Sequence, residues 1–382
     1  MPIHFETSEF TARQEKASRA VREAGLDGII LFAPESHLWL TGYDTFGFAM
    51  FQAMVLSASG DLHLLTRLPD LRQARHTSTL DDDHIHIWPE YEGSDPGVHL
   101  ANLLSDMGLK GKRLGFESNT AGLSDYNGQV LRAAVPGLTD HSDLIRALRR
   151  IKSPAEIAMH RRAAALSDDA LDAALNATQA GAFEGDILAA MQGAVFKGGG
   201  DYAGNEFILG SGEGALLCRY YSGRRYLDAK DQLTLEWSGA YARYHAAMMR
   251  TVVIGRPNAS QTHMFDTAKQ AIEACEDAIR PGDPMGNVFD AHARVFDANG
   301  LSHARLQACG YGMGAVYNPI WVDFPMFYQG NPLPMQAGQV FFLHMILMDS
   351  DAGLAMSLGH SVLVTQTGVE RLSRSPLEML VR

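Results

Sequence analysis

Residues 235–255 read LEWSGAYARYHAAMMRTVVIG. A short strand carrying an acidic residue, a Gly-Ala turn and a second strand closing on Arg-Thr-Val-Val-Ile-Gly make a hairpin frame that suits two carboxylates about eleven residues apart. The first carboxylate is Glu236, but the second position holds Ala247. The frame is that of a metal site with an apolar residue at a ligand position, and a hard cation needs several converging oxygen or nitrogen donors.

Working outward from this hairpin, the downstream periodicity predicts a helix over about 261–280 and another over about 286–299, followed by the strand-rich runs "LQACGYGMG", "NPLPMQAGQVFFLHMILMD" and "GLAMSLGHSVLVTQTGVERL". Strands separated by Gly turns and interleaved with helices predict an antiparallel sheet with helices on one side, an α+β domain. Upstream, "IKSPAEIAMHRRAAALSDDALDAALNA" predicts a long helix with Ser153 as N-cap, Pro154 at the first helical position and Glu156 completing a capping box. Before it, helical and strand-like segments alternate from about residue 10 to about 145, as in an α/β layer. Two domains are expected, 1–148 and 149–382.

Length and composition agree with this division, since 382 residues exceed one ordinary core. A net charge of -12 argues against nucleic acid as a partner, because phosphate binding needs a basic face. The acidic run Asp81-Asp82-Asp83 is expected in a solvated loop. The start of the chain has no basic segment followed by an apolar core, and the longest apolar run, "VFFLHMILM", is too short to span a bilayer. A cytoplasmic protein with no membrane partner is therefore expected. Cys218, Cys275 and Cys309 are scattered and odd in number, as for reduced thiols. The Gly198–Gly200 run lacks the Lys-Ser/Thr of a phosphate loop, and "GYGMG" at 310–314 opens no βαβ unit, so neither predicts a nucleotide site.

Taken in order, "GLDGIILFAPESHLWLTGY", "IKSPAEI", "PMQAGQVFFL" and "LGHSVLVTQTGVERLS" resemble segments of the creatinase/aminopeptidase P, or pita-bread, family over nearly the full length. The resemblance implies a creatinase-like N-terminal α/β domain followed by a pita-bread domain. The peptidases of that family hold two metal ions through two Asp, one His and two Glu. Carried across, these positions fall on Glu236, Ala247, Tyr311, His344 and, for the last, on or near Gly359. Four of the five lose the family's ligand type, Glu236 alone keeping a carboxylate, so no catalytic metal and no other cofactor is expected. Creatinase, in the same family, hydrolyses a C–N bond without a metal. Within the family, "EWSGAYARYHAAMMRTVV" and "LGHSVLVTQTG" are similar to the ectoine hydrolases, which open a cyclic amidine.

That resemblance implies a small zwitterionic substrate and assigns roles. Glu236 would meet the amidinium, as nucleophile or as the carboxylate orienting the attacking water. Tyr311 would donate its hydroxyl to developing charge, and His344 would move protons. Arg219 would pair with the substrate carboxylate. Tyr244, His245 and His360 are expected beside them, and Trp39 and Tyr43, in an aromatic loop, are expected to contact substrate in a homodimer. The other readings are a creatinase-like or dimethylsulfoniopropionate lyase-like C–N or C–S bond cleavage, and a pseudo-peptidase that binds without catalysis.

Overall fold

A computed structural model describes residues 3–219 and 223–382. It divides into two compact units, 1–149 and 150–382. The first is a six-stranded mixed sheet ordered β4-β3-β2-β1-β5-β6, from β1 (Gly28–Leu31), β2 (Ala53–Ser57), β3 (Leu62–Thr66), β4 (Ile85–Ile87), β5 (Leu114–Phe116) and β6 (Thr139–Asp140). Its longer helices are α1 (Thr7–Glu23), α2 (Pro34–Thr41), α3 (Leu71–Thr77), α4 (Pro96–Asp106), α5 (Asp125–Ala134) and α6 (Asp143–Arg149). Short strands buried on both faces explain the near-continuous apolar runs, with Ile29, Leu31, Met54 and Leu64 in one cluster and Ile30, Val55, Leu65 and Phe116 in another.

The second unit is one sheet ordered β11-β10-β12-β13-β9-β8-β7, with two further strands off that path. Its strands on that path are β7 (Ile208–Ser211), β8 (Asp231–Tyr241), β9 (Tyr244–Ile254), β10 (Ala308–Gly312), β11 (Asp323–Tyr328), β12 (Val340–Asp349) and β13 (Leu354–Val364). The helices are α7 (Pro154–Ala177), α8 (Glu184–Lys197), α9 (Ala259–Ala278) and α10 (Gly286–Ala298). The Ser153–Glu156 capping box forms as expected, with both reciprocal bonds present. Helix α8 was not foreseen: its Phe183 N-cap makes no side-chain cap bond, so the start signal that marked α7 is missing.

The hairpin turn also lies elsewhere than expected. β8 and β9 stay paired to Tyr241 opposite Tyr244, and the turn is made by Ala242 and Arg243, both at positive φ. Gly239 serves packing instead of turning. Its nitrogen donates to Ser167 Oγ of α7 at 2.6 Å, and a Cβ there would overlap the Ala163 carbonyl oxygen. Among the described residues no helix is long and apolar enough to cross a membrane.

Candidate active site

Side chains alternate across a strand, so a single register row sorts the carried-over positions into those that share a face and those that do not. Ile208, Glu236, Met249, Gly359 and His344 stand opposite one another across β7, β8, β9, β13 and β12. Ala247, two residues before Met249, lies on the same face, as does Tyr311, which pairs with Phe342 two residues before His344. The Tyr311, Phe342 and His344 rings pack together with centroids 5.4–5.6 Å apart. Neighbouring residues face the helices: Trp237 Nε1 donates to the Ser167 carbonyl of α7 at 2.9 Å, and His360 meets Glu276 of α9 at 2.7 Å.

Glu236 is 8% exposed, and burial raises its carboxyl from the usual 4.5 to about 7, the nearby Arg219 charge opposing the rise. No hydrogen bond from another described residue satisfies it. Glu117 of the first unit makes an instructive contrast, because burial lifts it to about 7 as well. That carboxylate accepts from Phe32 N, Ala33 N and Ser36 Oγ at 2.6–3.0 Å and anchors the start of α2. A satisfied buried carboxylate is a structural anchor; one with no hydrogen bond from the described residues is available for chemistry.

Tyr311 is held by Trp321, whose indole N–H donates to the phenol oxygen at 2.8 Å. Burial, and then the Glu236 charge, push the phenol well above its usual value, so it stays protonated and keeps its own O–H to donate. His344 Nδ1 is buried without a hydrogen-bond partner among the described residues. Burial, with the Arg219 charge in support, lowers its imidazole to about 4. At neutral pH His344 is therefore a neutral hydrogen-bonding group. Arg219 is exposed, in the turn that follows the short helical segment Gly212–Leu216, and its charge acts on Glu236, Tyr311 and His344 together.

The remaining expected site residues are used structurally. Tyr244 donates to Glu156 Oε1 at 2.8 Å, behind the capping box. His245 is fully buried, with Nδ1 2.7 Å from the Arg243 carbonyl and Nε2 accepting from Gly204 N at 2.8 Å, so both ring nitrogens are committed. His360 points to the opposite face, where it and the exposed Arg371 both meet Glu276. Trp39 lies in α2 and Tyr43 just after it, 5% and 1% exposed within the first unit's own core. The Tyr43 hydroxyl is taken up by Gln52 at 2.9 Å. Of the aromatic run expected as a contact loop, Trp39 is in a helix and Tyr43 and Phe48 are buried after it, whereas Phe46 stays exposed. Trp321, which orients Tyr311, was missed, because irregular loops carry no periodic signal.

The residues present do not fit the paired metal ions implied by the resemblance. Glu236 and His344 are separated along the sheet by Met249 and Gly359, neither a ligand for a hard cation. A Cβ at Gly359 would lie 2.9 Å from the Phe342 ring and 2.8 Å from the Leu343 carbonyl, so the space for a glutamate is filled by an aromatic ring. Ala247 adds no donor, and the Tyr311 phenol is held protonated.

Comparison with known proteins places this geometry. Residues 158–366 match metallopeptidase family M24, and residues 13–151 match the creatinase/prolidase N-terminal domain. An uncharacterized hydrolase/peptidase of Sinorhizobium fredii is 28% identical over 100% of this chain and 99% of its own. The ectoine hydrolase of Halomonas elongata is 26% identical over 100% of this chain and 99% of its own. Among solved structures, dipeptidase PepE from Mycobacterium ulcerans superposes with a TM-score of 0.86 at 24% identity, covering 99% of each chain. With the fold shared from end to end and the family match covering more than half its length, the chain belongs to metallopeptidase family M24 and carries a creatinase-type N-terminal domain.

Proposed function

We propose that this M24-family hydrolase opens the cyclic amidine of ectoine, releasing an N-acetyl-diaminobutyrate, without a metal ion. The observation that carries the reading is the buried Glu236 side chain at the family's first ligand position, with no hydrogen-bond partner among the described residues and a carboxyl raised to about 7. Similarity to the Halomonas elongata ectoine hydrolase over the whole chain supports the substrate.

Ectoine joins a ring amidinium to a carboxylate. Glu236 in its ionised form neutralises the amidinium and takes a proton from water as the oxygen adds to the amidine carbon; a base with a pKa near the operating pH suits this task. Tyr311, oriented by Trp321, donates its O–H to the ring nitrogen whose lone pair returns as the amidinium becomes a neutral adduct. The proton held by Glu236 passes to the departing nitrogen, the ring C–N bond breaks as the adduct's hydroxyl becomes the amide carbonyl and returns its proton to Glu236, and the amide and amine remain in one product. His344 Nδ1 accepts from a ring N–H, satisfying a buried atom that otherwise has no partner. Arg219 takes the substrate carboxylate in a two-pronged contact. Incubating purified protein with ectoine and following ring opening by proton NMR tests the reading; an intact ring after prolonged incubation with folded enzyme would refute it.

A further inference from the structure

The first unit holds a second cluster of chemistry-bearing side chains, unrelated to the Glu236 row. The sequence writes Asp61-Leu-His63, with Asp61 just before β3 and His63 in it, and His84-Ile-His86, with His84 ending a short helical turn and His86 in β4. Parallel pairing of β3 with β4, Leu64 opposite Ile85, brings the starts of the two strands together, and His63 meets both His84 and His86, with ring centroids 4.6 and 5.1 Å apart. One ligand atom from each of Asp61, His63 and His84 lies within 4.8 Å of the others. His63 Nε2 is 3.1 Å from Asp61 Oδ2, and His84 Nε2 is 3.6 Å from Asp61 Oδ1. Donors bound tetrahedrally at about 2.0–2.1 Å stand roughly 3.3 Å apart, so these separations bracket what one ion requires.

The outer ring atoms are also arranged for ligation. A histidine that binds a metal through Nε2 must hold its Nδ1 proton on an acceptor. His63 Nδ1 is 2.8 Å from His86 Nε2, and His84 Nδ1 is 2.5 Å from an Asp81 oxygen. Each inner histidine thus has a partner that turns Nε2 toward the shared point, and the carboxylate–histidine pair at Asp81–His84 is one that strengthens ligand basicity. Asp83 lies in the same short helical turn as His84, and Asp106 contributes charge at His86, adding to a local negative field.

We infer that Asp61, His63 and His84 form a binding site for one divalent transition-metal ion of the zinc type, with Asp81 and His86 as positioning residues and a fourth coordination position open to water. Two imidazoles and one carboxylate select such an ion over magnesium or calcium, which prefer all-oxygen shells. The ion would tie β4, an edge strand of three residues, to β3. It stands apart from the proposed hydrolysis and needs no part of it.

The test is calorimetric titration of zinc chloride into chelator-stripped full-length protein carrying no histidine tag, at pH 7.5. One equivalent should bind at low micromolar or tighter Kd and raise the thermal midpoint. His63→Ala with His84→Ala should abolish that equivalent, and Asp81→Asn or His86→Ala should weaken it about 10- to 100-fold with the circular dichroism spectrum unchanged. Glu236→Gln should leave zinc binding intact. Absence of binding in stripped wild type, or one equivalent retained by the double-histidine variant, would overturn the assignment.

Discussion

At the scale of single residues, the account turns on the state of Glu236. Its folded pKa of about 7 lies above the ordinary 4.5, so the stability linked to this group is fully present below about 4.5 and is lost as pH rises through about 7. The ionised form at pH 8 costs on the order of 3 kcal/mol. Glu236→Gln removes the charge, and the variant's stability relative to wild type should improve between pH 5 and pH 8 in urea unfolding; parallel curves would show that the carboxylate is not buried as described. The same ionisation predicts that kcat/KM falls about tenfold per pH unit below about 7, because the base must be deprotonated. Tyr311→Phe should lower kcat about 10²-fold with little change in KM, and Trp321→Phe, which leaves the phenol in place but unanchored, should cost less. Equal losses from both would argue that the indole does more than orient.

At the scale of elements, the two-residue period decides what was readable. Applied to β13, it separates Gly359, on the Glu236 face, from His360, on the helix face, so the misplacement of His360 was avoidable from sequence. His245 shares the parity of Ala247 and could not be excluded this way; its loss to the Arg243 and Gly204 backbone depends on a loop fold that no periodicity encodes. The α7 start was legible because capping is local chemistry, and Ser153→Ala should cost about 0.5–2 kcal/mol by equilibrium unfolding. Gly359→Ala tests the packing of the sheet floor. Its Cβ must displace the Leu343 carbonyl or the Phe342 ring, so a loss of about 1–3 kcal/mol is expected together with reduced turnover. A neutral effect would mean that the ring moves freely and that a larger side chain could be admitted there.

For the whole molecule, the order of segments was enough to reach the fold, because two-layer packing follows from patterns spread over hundreds of residues. The site was legible only as an altered ligand set: Glu236, Tyr311 and His344 do share one face, whereas Trp39, Tyr43, Tyr244, His245 and His360 are consumed by packing and hydrogen bonds. Their exclusion leaves a smaller constellation than the family's, one carboxylate with a phenol, a neutral imidazole and an arginine around a floor of Met249 and Gly359. Such a set can hold an organic cation by charge and shape where it cannot hold paired ions. The most direct test is ring opening of ectoine by chelator-stripped protein, followed by NMR beside Glu236→Gln. The account predicts full turnover by wild type without added metal and a loss of at least about 10²-fold in the variant; turnover that returns only when a divalent ion is restored, or that survives the substitution, would contradict it.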